Sequence, residues 1–356
     1  MVIDKNEISE KLKSLKALTP PKSASVPVSG ILFENGKLMT NNFEMSATAE
    51  LDSGTDESFV IPGDAIDYIN SLPSGSINIY YDEKKVIVEG KKSKGAFQTI
   101  KVADYPIPDN LKRKESVTVS CTFDRDELFN AINSVIYACN SRSLKEAQKG
   151  LLFCANGSEL NIVAADMHRI AKNTIPCDKE FRIIIPKESL LKASSLLESG
   201  NISFVVNKTT ITISNDIYKL TLRAIAGEFL KYESIFPQEY KAKFTIDRKE
   251  AIQTFNRAML CAGGEKVFVR LTGDSDSLIV QLANAKNDFT EAMSISGEKT
   301  EGILVGMNPR LLVECFKSVN DESMKIRYIS SLKPVVITAG TMTAIILPVR
   351  LNQFER

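Results

Sequence analysis

Three stretches of this chain begin alike, and that self-similarity restricts the possible folds more than any other feature. VIDKNEISEKLKSL from Val2, TFDRDELFNAINSV from Thr122 and TIDRKEAIQTFNRA from Thr245 each read apolar residue, Asp, basic residue, any residue, Glu, then a helical rhythm. Their aspartates, Asp4, Asp124 and Asp247, lie 120 and 123 positions apart. Each sits where an apolar pair gives way to a 3.6-residue period, the N-cap position, and the Glu three residues on suggests a capping box. A second helix start recurs in the same phase. FVIPGDAIDYINSL from Phe59, IIIPKESLLKASSLL from Ile183 and ILVGMNPRLLVECF from Ile303 each pass from a short apolar strand through Pro or Gly into a helix. Two agreeing registers describe a tandem array of three units of about 120 residues, each with two helices.

Between the helices the period drops to two. SINIYYDEKKVIVEG, GLLFCANGSELNIVAAD and NISFVVNKTTITISNDIYKLTLRAI alternate around Asn, Gly, Asp or Lys turns, which predicts hairpins and meanders. The fold class is therefore α+β: three tandem similar domains, each with two helices packed on antiparallel sheets. Polar, Pro-containing segments at 108–117 and 237–244 place the domains at 1–115, 116–240 and 241–356. On the helices, apolar residues such as Ile8, Leu12 and Leu15 share one stripe, and Lys13 projects away with Lys16 at the flank. Lys192, Arg257, Arg310 and Lys317 take comparable outer positions on later helices. Repeated in one direction, such faces can sum to a basic surface that meets phosphates without reading bases. GDAIDYINSL in the first domain offers Asp64 and Asp67 in place of a base.

Composition excludes several classes. With 45 Lys plus Arg against 44 Asp plus Glu, the 356-residue chain has a net charge of +1, so a polyanion must be met by a local patch. No apolar stretch approaches the roughly 20 residues of a membrane span and the start lacks a signal-peptide core, so a cytoplasmic location is expected. The six cysteines form no CxxC pair and read as reduced core thiols. No metal site or cofactor is expected: histidine occurs once, at His168, and no phosphate-cradling glycine loop is present. For catalysis the residues leave only a Cys/His dyad, with Cys154 nearest to His168 along a hairpin.

The triple repeat, the hairpin LNIVAADMHRIA (160–171) and the terminal strand AIILPVRL (344–351) together resemble the bacterial sliding clamps, the beta subunits of DNA polymerase III, and mark a divergent member. KGAFQTIKVADYPIPD and GEFLKYESIFP look like the ends of that family's first and second domains. The resemblance implies the DNA clamp fold in a head-to-tail homodimer, a pseudo-sixfold ring with helices lining the hole and sheets forming the outer wall. It implies no catalysis by the chain itself. It would be a processivity factor within a DNA-directed DNA polymerase holoenzyme, encircling double-stranded DNA without sequence preference and tethering the polymerase during replication. Candidate DNA contacts are Lys13, Lys16, Arg142, Lys145, Lys192, Arg257, Arg310 and Lys317.

In the family, the polymerase catalytic subunit and the clamp loader dock linear motifs into an apolar groove between the second and third domains. Carried over, that groove would use Ala165, Met167, His168, Arg169 and Ile170, with Leu230 and Ile235 from the second domain. The third domain would add Asn308, Leu311, Leu332, Pro334, Ile345, Ile346, Leu347, Pro348, Val349, Arg350 and Leu351. Dimer contacts are expected near Phe97, Met259 and Leu260. This sequence departs from the family pattern at Met167, where Gly is usual, at Ala165 (Thr), and at Gln148, Leu230 and Leu311 (Leu, Pro and Tyr). Ser23 beside Lys22, and Glu146 with Ala147, replace an Arg and an aromatic pair at DNA-facing positions. Residues 352–356 extend past the usual end, and Gln353 and Phe354 could fold back over the groove. A specialised clamp paralogue or clamp regulator is the alternative reading.

Overall fold

The structure, a computed structural model, describes residues 1–19, 30–42, 44–52, 54–82, 84–105, 119–263, 267–283, 287–298 and 300–351. Lys22, Ser23, the 115/116 boundary and the tail 352–356 lie outside the described residues. First come β1 (Val2–Asp4), α1 (Lys5–Lys16), β2 (Gly30–Glu34), β3 (Lys37–Asn41), β4 (Met45–Glu50), β5 (Phe59–Pro62), α2 (Gly63–Ser71), β6 (Ser76–Asp82), β7 (Lys85–Glu89) and β8 (Lys94–Gln98). The same order returns as β9 (Val119–Asp124), α3 (Arg125–Val135), β10 (Gly150–Asn156), β11 (Glu159–Ala165), β12 (Arg169–Pro176), β13 (Glu180–Pro186), α4 (Lys187–Leu196), β14 (Asn201–Val206), β15 (Thr210–Ser214) and β16 (Tyr218–Arg223). A third round runs β17 (Ala242–Asp247), α5 (Arg248–Cys261), β18 (Val269–Gly273), β19 (Ser277–Ala283), β20 (Asp288–Glu298), β21 (Leu304–Met307), α6 (Pro309–Lys317), β22 (Ser323–Tyr328), β23 (Val335–Ala339) and β24 (Met342–Ile346).

The helix starts follow the local chemistry. Asp4 accepts from the Asn6 and Glu7 amides at 2.9 and 3.3 Å, and Asp247 from the Glu250 amide at 2.7 Å. Asn308 caps α6 with Pro309 in its first turn. On α1 and α5 the capping-box carboxylates have other partners among the described residues. Glu7 pairs with Lys11 one turn on, and Glu250 accepts from the Ser294 amide of β20.

Among the described residues every strand pair is antiparallel, and contacts gather the chain into two compact bodies, residues 1–125 with 188–224 and residues 126–187 with 225–356. The first body holds the four-stranded sheet β1-β6-β7-β8 and the eight-stranded sheet β5-β2-β3-β4-β16-β15-β14-β9. The second holds the twelve-stranded sheet β13-β10-β11-β12-β24-β23-β22-β17-β20-β19-β18-β21. Two seams explain why contacts divide the chain differently from its element order. The fourth strand of one round pairs with the eighth strand of the next, as β4 with β16 (Ala49↔Tyr218 to Met45↔Leu222) and β12 with β24 (Arg169↔Ile346 to Asn173↔Met342).

Helix stripes seal the sheets. In the first body α1 lays Ile8, Leu12 and Leu15, all fully buried, on β2, β3 and β4. In the second, α5 and α6 bury Phe255 and Phe316, their ring centroids 6.1 Å apart. Each such side chain contributes about 1.5–3 kcal/mol of transfer free energy. β20 serves two neighbours, pairing with β19 through Asp288–Ser294 and with β17 through Ile295–Glu298. Gly297 makes the second pairing possible, since a Cβ there would lie 2.3 Å from the Lys243 carbonyl oxygen and 2.5 Å from the Phe244 Cα. Gly297→Ala is expected to destabilise the fold by about 2–3 kcal/mol, because backbone must move to admit the methyl. A lowered urea midpoint at unchanged slope is the check.

Candidate functional site

An apolar platform forms in the second body where β10, β11, β12, β23 and β24 lie side by side. Leu152, Val163, Ala165, Ile170, Ile184, Val336 and Ile345 are buried together with Phe229 and Tyr232, and Ile225, Leu230, Phe236 and Tyr240 pack against them. Ladder register produces this convergence, because Ala165 faces Ile170, Ile170 faces Ile345 and Ile345 faces Val336 across successive strands. Residues directly opposed in a sheet share one face. Burial holds the Tyr232 hydroxyl well above the usual phenol pKa.

Large apolar side chains left in solvent flank the platform's elements along the chain and form the rim: Met167 in the β11–β12 turn at 76% exposure, Leu332 before β23 at 71%, Leu347 after β24 at 42% and Ile235 beside Phe236 at 39%. Isolated exposed apolar residues need no explanation, whereas several beside one apolar cluster mark an interaction surface. Met167 and His168 form the turn joining β11 to β12. Asp166 Oδ1 accepts from the His168 and Arg169 amides at 2.7 and 3.0 Å, and the Leu347 amide donates to the His168 carbonyl at 2.9 Å.

Arg169 does not line the rim. Its side chain is 9% exposed, with Nε donating to Asp166 Oδ2 at 3.1 Å, Nη2 to the Tyr137 carbonyl at 2.8 Å and Nη1 to Glu314 on α6. The guanidinium also stacks on the Tyr137 ring, 4.9 Å from its centroid. Beneath it, burial pushes the Cys315 thiol up to about 12 and raises the Tyr137 hydroxyl as well.

The other residues expected in the groove separate by strand phase and local bonding. Ile345 joins the platform, while Ile346, fully buried, points to the opposite face as the pleat requires and belongs to the core. Asn308 spends its side-chain oxygen on the Arg310 amide at 3.0 Å, so it caps α6. Leu311, Pro334, Pro348 and Leu351 are half-buried and Arg350 is exposed, while the Val349 amide donates to the Gly306 carbonyl at 2.8 Å. Cys154 and His168 form no dyad. Cys154 stands opposite Asn161 and receives Nη1 of Arg182 at 3.2 Å, whereas His168 lies beyond Ala165, about 13 Å further along at roughly 3.3 Å per residue.

Among the candidate DNA contacts, Lys13, Arg142, Lys145, Arg310 and Lys317 are exposed and Lys192 is half-buried; among the described residues these make no ion pair. Lys16 and Arg257 are already matched. Lys16 bonds Asp67 of α2, and Arg257 grips Glu291 of β20, with Nε to Oε2 at 2.8 Å. Hydrogen bonding from Arg257 holds the Glu291 carboxyl below its ordinary range. Of the expected dimer residues, Phe97 lies on the edge strand β8 with its ring 5.3 Å from Tyr68, Met259 is half-buried, and Leu260 at the end of α5 is 80% exposed.

Sequence reasoning missed Phe229, Tyr232, Phe236, Tyr240, Tyr137 and Glu314. A signal existed for the first four, since four aromatics within residues 229–240 are more than a polar connector needs. Nothing local marks Tyr137 or Glu314.

Threefold repetition of two helices on antiparallel sheets, with a buried apolar cluster, exposed apolar side chains on the same elements and dispersed outward bases, defines a binding scaffold of the clamp class. Comparison with known proteins makes this specific. The DNA polymerase III beta subunit central-domain model matches residues 122–231, and the model of its C-terminal domain matches residues 233–350. The chain is 22% identical to the beta sliding clamp of Staphylococcus aureus over 310 residues, covering 82% of this chain and 80% of that one. It is 22% identical to the Bacillus subtilis beta sliding clamp over 295 residues, covering 79% and 77%. The DNA polymerase III subunit beta structure from Pseudomonas aeruginosa superposes with a TM-score of 0.91 at 19% identity, covering 99% of this chain and all of that one. The chain belongs to the DNA polymerase III beta subunit family, the beta sliding clamps, as a divergent member. Its function is that of a DNA sliding clamp, a processivity factor and not itself a catalyst. Among the described residues no helix is long and apolar enough to cross a membrane.

Proposed function

We propose that two copies of this chain close head to tail around duplex DNA in the cytoplasm and carry the replicative polymerase and the clamp loader on the platform around Ile170 and Ile345. The observation that carries the ring is the seam rule. Fourth strands pair with eighth strands at β4–β16 and β12–β24, which leaves the fourth strand of the last round, β20, and the eighth strand of the first, β8. Among the described residues, β8 ends its sheet, and Asp288–Ser294 of β20 pair on one side only. Such unlike edges on one chain suit a heterologous interface that closes when two copies meet. Six rounds of the same order then complete the collar, with domains at 1–115, 116–240 and 241–356.

Lys13, Arg142, Lys145, Lys192, Arg310 and Lys317 supply the diffuse phosphate contacts that a sliding surface needs. Arg310 occupies the first turn of α6, where the helix dipole disfavours a cation and favours an anion. Arg257 and Lys16 would have to leave Glu291 and Asp67 before meeting phosphate.

The test is retention on nicked circular DNA, with release on linearisation. Short-duplex binding should also weaken with salt, and neutralising Arg142 with Lys145 to Gln should reduce the log–log salt slope by about 2, one for each base neutralised. Equal retention on circular and linear DNA would overturn the ring; an unchanged slope would remove those two residues from the DNA-facing set.

A further inference from the structure

The turn from Asp166 to His168 carries Met167, the most exposed apolar residue on the platform rim. A binding rim needs a fixed position, since affinity is lost when ordering must be supplied at docking. Asp166 closes the turn from within through the His168 and Arg169 amides, and the Leu347 amide holds it from the side. Neither bond fixes the turn to the helices.

That link runs through one guanidinium. Arg169 reaches out of the hairpin to the Tyr137 carbonyl, 32 positions away, and to the Glu314 carboxylate, 145 positions away. Nε is spent on Asp166, Nη1 on Glu314, Nη2 on Tyr137, and one face of the ion on the Tyr137 ring. A guanidinium that is 9% exposed and bonded at all three nitrogens is fitted to hold its neighbours and not to receive a partner's carboxylate. Glu314 lies three and four positions from Lys317 and Arg310, on the helical face those bases share. It nevertheless gives a carboxylate oxygen to Arg169.

We propose that Glu314 is a positioning residue for partner docking: through Arg169 it fixes the 166–168 turn, and with it Met167, against α6. The inference rests on the platform being the docking groove. Removing Glu314 leaves Asp166 as the sole carboxylate on a mostly buried cation, so Arg169 and the turn relax while the strands remain paired.

The experiment measures affinity of the intact chain for the purified catalytic subunit of the cognate replicative polymerase, alongside amide hydrogen exchange. Glu314→Ala should weaken binding about tenfold. Glu314→Gln, which keeps one acceptor without the charge, should recover part of that loss. Exchange at the His168, Arg169 and Leu347 amides should quicken, with the β11–β12 ladder from Lys172 to Ile175 unchanged; a merely stabilising role would not produce that pattern. Wild-type affinity and unchanged turn exchange in Glu314→Ala would overturn the proposal. If wild type itself fails to bind the polymerase, the groove reading fails, and exchange still decides whether Glu314 holds the turn. Should Glu314→Ala not fold, Glu314→Gln is read by the same two measurements, and wild-type values there overturn the proposal.

Discussion

Leu260→Asp is expected to halve the solution mass of the protein at submicromolar concentration and to abolish its retention on nicked circular DNA. Leu260 is 80% exposed at the end of α5, where a large apolar side chain gains nothing from the chain's own core. Asn287, next to the open stretch of β20, donates to the neighbouring Cys261 carbonyl at 2.8 Å, so the end of α5 and that edge lie together. A partner's β8, five residues long, matches an open stretch running from Asp288 to Ser294. Placing a carboxylate in an apolar anchor position should raise the dimer dissociation constant about 100-fold or more, equal to roughly 2.7 kcal/mol. The monomer should keep its thermal midpoint, since Leu260 contributes little burial within one copy. Sedimentation or light scattering gives the mass, and a washed bead carrying nicked plasmid gives the retention. An unchanged dimer with Leu260→Asp would show that the copies join elsewhere.

What could be read from the chain divides by distance. Helix starts at Asp4 and Asp247 are local events, settled within four residues by a carboxylate and one or two amides, and their spacing was enough to reveal the repeat. Hairpins such as β11–β12 followed from alternation and a turn. The seams did not, because no local pattern tells β12 that its outer neighbour is β24. Bases on outer faces were visible by period, yet their pairing was not: Lys16 meets Asp67 from 51 positions away and Arg257 meets Glu291 from 34. Strand alternation also separates Ile345 from Ile346, but which of the two faces the platform depends on Ile170 and Val336 lying opposite. Arg169 was legible as a polar residue of the hairpin and illegible as its anchor, since Tyr137 and Glu314 come from distant parts of the chain.

Charging the rim should separate partner docking from every other property of the molecule. Met167→Glu with Leu347→Glu is expected to weaken binding of the replicative polymerase about 100-fold or more, while dimer mass and retention on circular DNA stay at wild-type values. Met167 stands largely in water at 76% exposure and Leu347 is 42% exposed, so each introduced carboxylate can reach solvent in the free protein. The backbone bond from the Leu347 amide to the His168 carbonyl survives, because it does not depend on the side chains. On docking, the same carboxylates would be drawn into an apolar contact over Ile170, Ile345 and Tyr232, where an unpaired charge is strongly disfavoured. A few central anchors carry most of the energy of such small sites, and two of the four exposed rim residues are removed here. Met167 has a further consequence for selectivity: an unbranched thioether adapts to differently shaped partners, so Met167→Gly should narrow the range of partner segments bound more than it lowers affinity for the best of them. Titrating the double variant against polymerase and loader checks the first point, and titrating Met167→Gly against a panel of partner segments checks the second; equal affinity in wild type and double variant would move the docking surface off this platform.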